Sequence, residues 1–501
     1  MVEHSRSFDE TTTTPVIGNA GQSGTTSRNT TAPTAPTTTT ASRSRSKSND
    51  DVIYLNNAGQ AFLDPEVRAL GQSILTQPPY KMHPQEDQKR IRELFATLIG
   101  IDNDDSDGDG GSKNIAIMPS TAFATTFVAR NIQRLYHLDT TSGTAIPKKT
   151  KILLLQDQFC SAVYPWQEIC DESQPLDNGD DDNNNDDNNK NGPKTLSLKI
   201  VPYPGGIRNS NKNGTDHATS NSQGWTEAVL EHLTDDVLAT CLPPLHWSDG
   251  ALLDLERIGK VCQEKKILYF VDATQAIGAM PCTVAGCGNP LVMACSVHKW
   301  LRGPPGASLV YVSPELNATW QPLDQHGRSR DMAEGKSWEA FPNKIGPQGY
   351  PKKYFQDARK FDSGGKPNPL LLPMLRLGME QVVERVDLTT IQARFQQLMT
   401  PLLEWALSPM PNTSSSDVNQ QPWFTMTPGP HCYHLVGIRP TFLSVSQMLE
   451  LNSQLEKEHN AYIAVRCGAF RIAPYLDTTP DEMVRFVDIF RKLCQSYHTA
   501  A

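Results

Sequence analysis

Asp272 and Lys299 are the residues whose types and placement could do covalent chemistry. Each follows an apolar run. Ile267 to Val271 is a β-rich stretch of the length expected for a buried parallel strand, and it stops at Asp272. Leu291 to Cys295 is a second such run and leads into Ser296, Val297, His298 and Lys299. A third, Ala307 to Val312, follows a Gly-Pro-Pro-Gly turn. In open α/β sheets the carboxyl edge of the strands is where ligands bind. A lysine there can form a Schiff base with an aldehyde cofactor. A carboxylate on a neighbouring strand can keep a pyridine nitrogen protonated, which makes the ring an electron sink. Lys299 follows Asp272 by 27 residues, room for a strand, a loop and another strand.

This pairing is the one that pyridoxal 5'-phosphate requires. The residues around it, VDATQAIGAMP at 271–281 and SVHKWLRGPPG at 296–306, resemble the class V aminotransferases. That family includes cysteine desulfurases, kynureninase and isopenicillin N epimerase-like enzymes. The first segment is similar to the family's D-x-x-Q signature, the second to its S-x-H-K segment. The resemblance covers roughly residues 51–496. It implies a pyridoxal phosphate enzyme of fold type I, with a large doubly wound, mostly parallel sheet domain and a smaller α+β C-terminal domain. It also implies an α-amino acid substrate and a homodimer.

Carried over residue by residue, the resemblance assigns the cofactor aldehyde to Lys299 and the ring nitrogen to Asp272. Gln275 would contact the ring hydroxyl, and Ser296 and His298 the phosphate. Ser120, Thr121 and Ala122 would form the other side of the phosphate cup, at a strand–turn–helix junction whose free N–H groups suit an anion. Phe159 stands where desulfurases carry a ring-stacked histidine; a phenyl ring can stack but cannot move a proton. In IAVRCGAFRIAPY, 463–475, Arg471 matches the arginine that binds the substrate carboxylate, and Arg466 is a second basic position. Asn57, in the first ordered segment, and His246, at a strand end, are further candidate substrate contacts. Cys467 directly follows Arg466, the wrong register for a persulfide-carrying thiol. FDSGGKPNP at 361–369 resembles the loop that reaches a neighbouring subunit's phosphate, with Lys366 in place of the usual hydroxyl.

Two metal readings fail. DNDDSDGDGG at 102–111 opens like a calcium loop, but its twelfth position would be Ala116. For HCYH at 431–434, strand alternation would send the side chains to opposite faces.

Composition excludes other classes. Net charge is −9, so no basic footprint argues for nucleic acid. No apolar run is long enough to span a bilayer. The 10 cysteines are scattered through expected core elements, which fits reduced thiols and a cytoplasmic setting.

The elements that must position these residues alternate between strand and helix from 114 to 312, which predicts a mostly parallel, doubly wound sheet. Strands are expected at 114–119, 151–155 and 237–242, besides the three apolar runs. The large domain spans 51–368, with polar insertions at 102–112, 171–194 and 207–224. The small domain, 369–501, has helices to about 386, at 389–406 and at 480–496, and strands near 433–438 and 462–465. Residues 1–50 are Ser/Thr-rich and too poor in apolar surface to offset ordering entropy, so they are expected to be a disordered tail.

Overall fold

A computed structural model describes residues 52–101, 110–141, 149–174, 195–206, 223–331, 353–411 and 421–500. The expected tail, the calcium-like loop and most of the two longer insertions lie outside them. Residues 51–501 cluster as one compact unit.

The chain enters through β1 (Ile53–Tyr54) and α1 (Pro65–Ile74). Asp64 caps α1 by accepting from the Glu66 N–H, with Pro65 at the first helical position. α2 is Pro84–Leu98. The large sheet is then built from β2 (Ile115–Met118), β3 (Lys151–Leu155), β4 (Ser197–Val201), β5 (Val237–Leu242), β6 (Leu268–Asp272), β7 (Val292–Ser296) and β8 (Ser308–Val312). Their order is β2-β8-β7-β6-β5-β3-β4. β8 runs antiparallel to both neighbours, while the other pairs are parallel.

Both faces of this sheet are covered, which is why its strands read as unbroken apolar runs. Ile117, Leu153 and Leu155 point into one apolar cluster, shared with Phe95 and Ile258. Met118, Ile152 and Leu154 point into the other, against Phe127 of α3 (Thr121–Thr141) and Trp166 of α4 (Tyr164–Glu172). Successive strand residues thus serve opposite cores, and α5 (Trp225–His232) and α6 (Leu255–Glu264) pack with the first.

α7 (Leu371–Arg385) and α8 (Ile391–Ala406) lead to a second, antiparallel sheet. It contains β9 (Phe424–Thr425), β10 (Val436–Pro440), β12 (Ala464–Arg466) and β13 (Ala469–Ile472), ordered β12-β13-β10-β9. α9 (Val445–His459) and α10 (Pro480–Ala500) complete this part, and β11 (Ala461–Tyr462) pairs with β1. HCYH lies in the turn before β10 rather than on the strand, so the alternation argument does not apply to it.

The loop after β5 is joined to this second sheet. Gly250 is required there: its φ is +76°, and an added Cβ would lie 1.9 Å from the Leu435 carbonyl oxygen.

His434 is fully buried, and burial pulls its pKa down to about 4. Between about pH 6.5 and 4 the unfolded chain therefore binds a proton at this residue that the folded chain does not. Stability falls across that window as pH drops, by about 3 kcal/mol from this residue alone. Urea unfolding at pH 7 and pH 4.5 should show a shallower acid loss in His434→Gln than in the parent. Equal losses would contradict the assignment.

Candidate functional site

The carboxyl ends of β3, β5, β6 and β7 converge on a cavity with about 420 Å³ of empty space, part of it open to solvent. Thr121, Phe159, Asp272, Gln275, Ser296 and Lys299 line it, so six of the sequence-derived residues meet in one place. Gln158, Ser161, Pro243, Leu245, Trp247 and Thr274 complete the wall.

Lys299 is 8% exposed and makes no hydrogen bond or ion pair among the described residues. Its ammonium sits 5.3 Å from the centre of the Phe159 ring. Burial pulls its pKa down to about 8; Arg471 pushes the same way, and Asp272 opposes. Asp272, at the end of β6, accepts a hydrogen bond from the Thr274 N–H at 3.1 Å. It keeps some surface toward the cavity, yet the surrounding protein strips its hydration and raises its pKa. The carboxylate and the ammonium face the same space without forming an ion pair.

A hydroxyl cluster occupies another wall. Thr121 Oγ1 lies 2.7 Å from Ser296 Oγ, 3.3 Å from Ser308 Oγ and 3.4 Å from Thr274 Oγ1. Thr121 is the first residue of α3, where backbone N–H groups have no acceptor inside the helix. Ser120 accepts from the Phe123 N–H and acts as the helix cap. Ser120 and Ala122 are exposed and do not line the cavity. Hydroxyls gathered at a helix N-terminus suit an anion such as a phosphate. His298 is half-buried and off the cavity wall, its pKa lowered by burial and by Lys299. The donor set therefore fits pyridoxal phosphate: an amine, a carboxylate, an anion-binding helix end and an aromatic face around one space.

Arg471, on β13, is 2% exposed. It donates to the Trp247 carbonyl at 3.3 Å and to Asn56 Oδ1 at 3.0 Å, and its Nε is buried without a partner. Its guanidinium lies 5.7 Å from the Trp247 ring, which itself lines the cavity. No carboxylate pairs with it among the described residues, and burial together with Arg466 lowers its pKa. A buried cation without a counter-anion is costly unless a ligand supplies one. Arg466 is exposed.

Two further expectations need correction. His246 is fully buried off the cavity, bonded to Ser248 Oγ at 2.9 Å and the Gln156 carbonyl at 3.1 Å and stacked on Trp225. Both ring nitrogens are used, so it is a structural residue; Trp247 is the one that faces the cavity. Asn57 donates to the Ala473 carbonyl from a buried position, and the neighbouring Asn56 is what reaches Arg471. Gln275 lines the cavity, but its amide already bonds Ala58 and Trp300, leaving one N–H for a ligand. Of the residues missed, Thr274 had a signal, because it sits inside the D-A-T-Q segment.

Lys366 is exposed, after Gly364 and Gly365 in left-handed backbone conformations. The Gly364 N–H donates to Asp324 at 2.8 Å.

The sheet order, the single antiparallel strand and the site at the strand ends define fold type I of the pyridoxal phosphate enzymes. The cysteine desulfurase CsdA from Escherichia coli shares this fold, with a TM-score of 0.63 and 16% identity over 89% of this chain and 96% of that one. So does a C-DES mutant with glycine covalently linked to its pyridoxal phosphate cofactor, with a TM-score of 0.61 and 16% identity over 89% and 97%. Residues 216–422 match the family model for aminotransferase class V. The uncharacterized aminotransferase YcbU of Bacillus subtilis (strain 168) is 24% identical over 263 residues, 52% of this chain and 61% of that protein. The chain thus matches less than two thirds of that relative's length. Together these findings show similarity to the class V aminotransferases over residues 216–422 and a shared fold over most of the chain.

Proposed function

We propose that the chain is a pyridoxal phosphate enzyme acting on an α-amino acid, by transamination or by elimination at the side chain. One observation carries the reading. Lys299 and Asp272, both poorly hydrated and of opposite charge, face one cavity without pairing with each other. Such an arrangement is expensive unless a ligand comes between them.

Lys299 would hold the cofactor aldehyde, and its amine would then move the proton at the substrate Cα. Asp272 would stabilise the protonated ring nitrogen. The Thr121–Ser296 cluster and the start of α3 would take the phosphate. Phe159 would lie against the ring, and its phenyl group can carry no proton. Arg471 would hold the substrate carboxylate. When bound, the cofactor supplies an electron-accepting ring conjugated to Cα. A homodimer belongs to the same reading, as does a cytoplasmic setting, which ten free cysteine thiols suit.

The shared fold with the cysteine desulfurase CsdA raises a second reading, a carbon–sulfur or kynureninase-like lyase. Cys467 argues against the persulfide-forming version, because burial pushes its thiol up to about 11, far from a thiolate at neutral pH. A catalytically silent scaffold is a third possibility, and the retention of Lys299 and Asp272 on one cavity counts against it.

Purified protein should be yellow and should turn over one or more amino acids assayed for keto acid, pyruvate, alanine and sulfide. A colourless protein that takes up no pyridoxal phosphate would end this reading. Asp272→Asn should keep the fold, since the amide replaces a poorly hydrated carboxyl with one of the same shape. It should lose turnover by about a hundredfold or more, because the ring nitrogen loses its charge partner. Turnover within a few-fold of the parent would contradict that role.

A further inference from the structure

The HCYH run is not used by the function described above, yet its last residue reaches the cavity wall. We propose that His434 is a positioning residue for Gln275 and Trp300, fixing in its neutral Nε2–H form the wall beside Lys299.

Two hydrogen bonds set the tautomer. His434 Nε2 lies 2.7 Å from the Gln275 carbonyl oxygen. A carbonyl can only accept, so Nε2 carries the hydrogen. His434 Nδ1 lies 2.8 Å from Gln392 Nε2, which donates to it. The orientation of Gln392 is fixed independently. Its Oε1 accepts from the Tyr433 N–H at 2.9 Å, and its Nε2 donates to the Ala279 carbonyl at 2.8 Å. A flipped amide would set N–H against N–H and oxygen against oxygen. Burial opposes protonation of the ring and outweighs the Gln275 carbonyl, which favours it.

The ring does more than hold one carbonyl. It stands perpendicular to Trp300, with centroids 4.8 Å apart and an interplanar angle of 89°. Trp300 Nε1 donates to Gln275 Oε1 at 2.9 Å, and Gln275 Nε2 donates to the Ala58 carbonyl at 3.0 Å. His434 therefore grips Gln275 by its backbone directly and by its side chain through Trp300. The packing leaves little slack. Trp300 is 1% exposed, and a Cβ added at Gly278 would lie 2.7 Å from the Trp300 carbonyl oxygen. Trp300 directly follows Lys299. A residue on the turn before β10 thus fixes the direction of the one remaining Gln275 N–H and the backbone that carries the lysine.

The ligand that uses this N–H is the cofactor of the proposed function, so that step rests on that reading. The positioning itself can be tested without it. In cofactor-free protein the Trp300 indole ¹⁵N–¹H resonance should move in His434→Phe, which keeps a ring on Trp300 but lacks both nitrogens. In His434→Gln, which retains a donor, it should return toward the parent position. Pyridoxal phosphate affinity, read from absorbance, should weaken about tenfold in His434→Phe, the scale of one lost buried hydrogen bond. It should recover to within about threefold in His434→Gln, by the same scale. An unmoved Trp300 resonance with unchanged affinity would overturn the proposal. If His434→Phe does not fold, Gln392→Met removes the partner that fixes Nδ1. It should shift the same resonance in the same direction, and no shift would overturn the proposal equally. A parent protein that binds no pyridoxal phosphate would defeat the function but leave the resonance test standing.

Discussion

Borohydride reduction of the protein with its cofactor should fix the label on the peptide that contains Lys299. A buried lysine with a pKa near 8 is about one-tenth neutral at pH 7, against roughly 0.03% for an ordinary lysine. The neutral amine attacks an aldehyde, so a lowered pKa is what the role proposed for Lys299 needs. Its loading rate should rise about fivefold from pH 7 to pH 8, tracking the neutral fraction. Lys299→Met should carry no covalent cofactor and should lose at least about 10⁴-fold in turnover, the upper range for a proton-transfer group.

Stability should move the other way. The folded pKa lies below the unfolded value of 10.5, so the folded state pays for the ammonium fully below about pH 8 and not at all above about pH 10.5. Without cofactor at pH 7, Lys299→Met should therefore be more stable, by up to about 3 kcal/mol. A lower melting temperature at pH 7, or label on another lysine, would contradict the assignment.

How far the sequence reveals these features depends on how many faces a segment buries. β3 and β5 are legible to the residue, because nearly every side chain in them is buried and the apolar run has sharp ends. β4 is not. It is an edge strand with Lys199 and an exposed Ile200, set between two polar insertions. α9 carries its own sequence signal: Ser444 and Gln447 form a capping box ahead of it. Within the site, Asp272 and Lys299 are legible because each follows a buried run that ends at the sheet edge. Asn56 and Asn57, or His246 and Trp247, cannot be separated in this way. Adjacent residues beyond a strand end point opposite ways, and only the packed loop decides which one faces the cavity.

Arg471 gives the sharpest test of the substrate. If the substrate is an α-amino acid, its carboxylate must be held so that the Cα–H bond stands perpendicular to the ring. Arg471 offers a guanidinium already fixed by Asn56 and the Trp247 carbonyl, with no protein carboxylate to neutralise it. The cost of ordering the side chain is met before the substrate arrives. Removing one partner of a buried, bidentate ion pair costs about 3–5 kcal/mol. That is a loss of roughly a hundred- to several-thousand-fold in kcat/KM. Arg471→Ala should show this loss while keeping its bound cofactor and its colour. Its folding stability should hold, because the substitution also removes a buried cation that nothing in the free protein pairs. Arg471→Lys should recover only part of the efficiency, since an ammonium cannot reproduce the two-pronged contact. Arg466→Ala is the control. Arg466 is exposed and its guanidinium bonds the Val465 carbonyl rather than Trp247 or Asn56, so its loss should change efficiency far less. Near-parent efficiency in Arg471→Ala would mean that the carboxylate is held elsewhere or that the substrate is an amine without one.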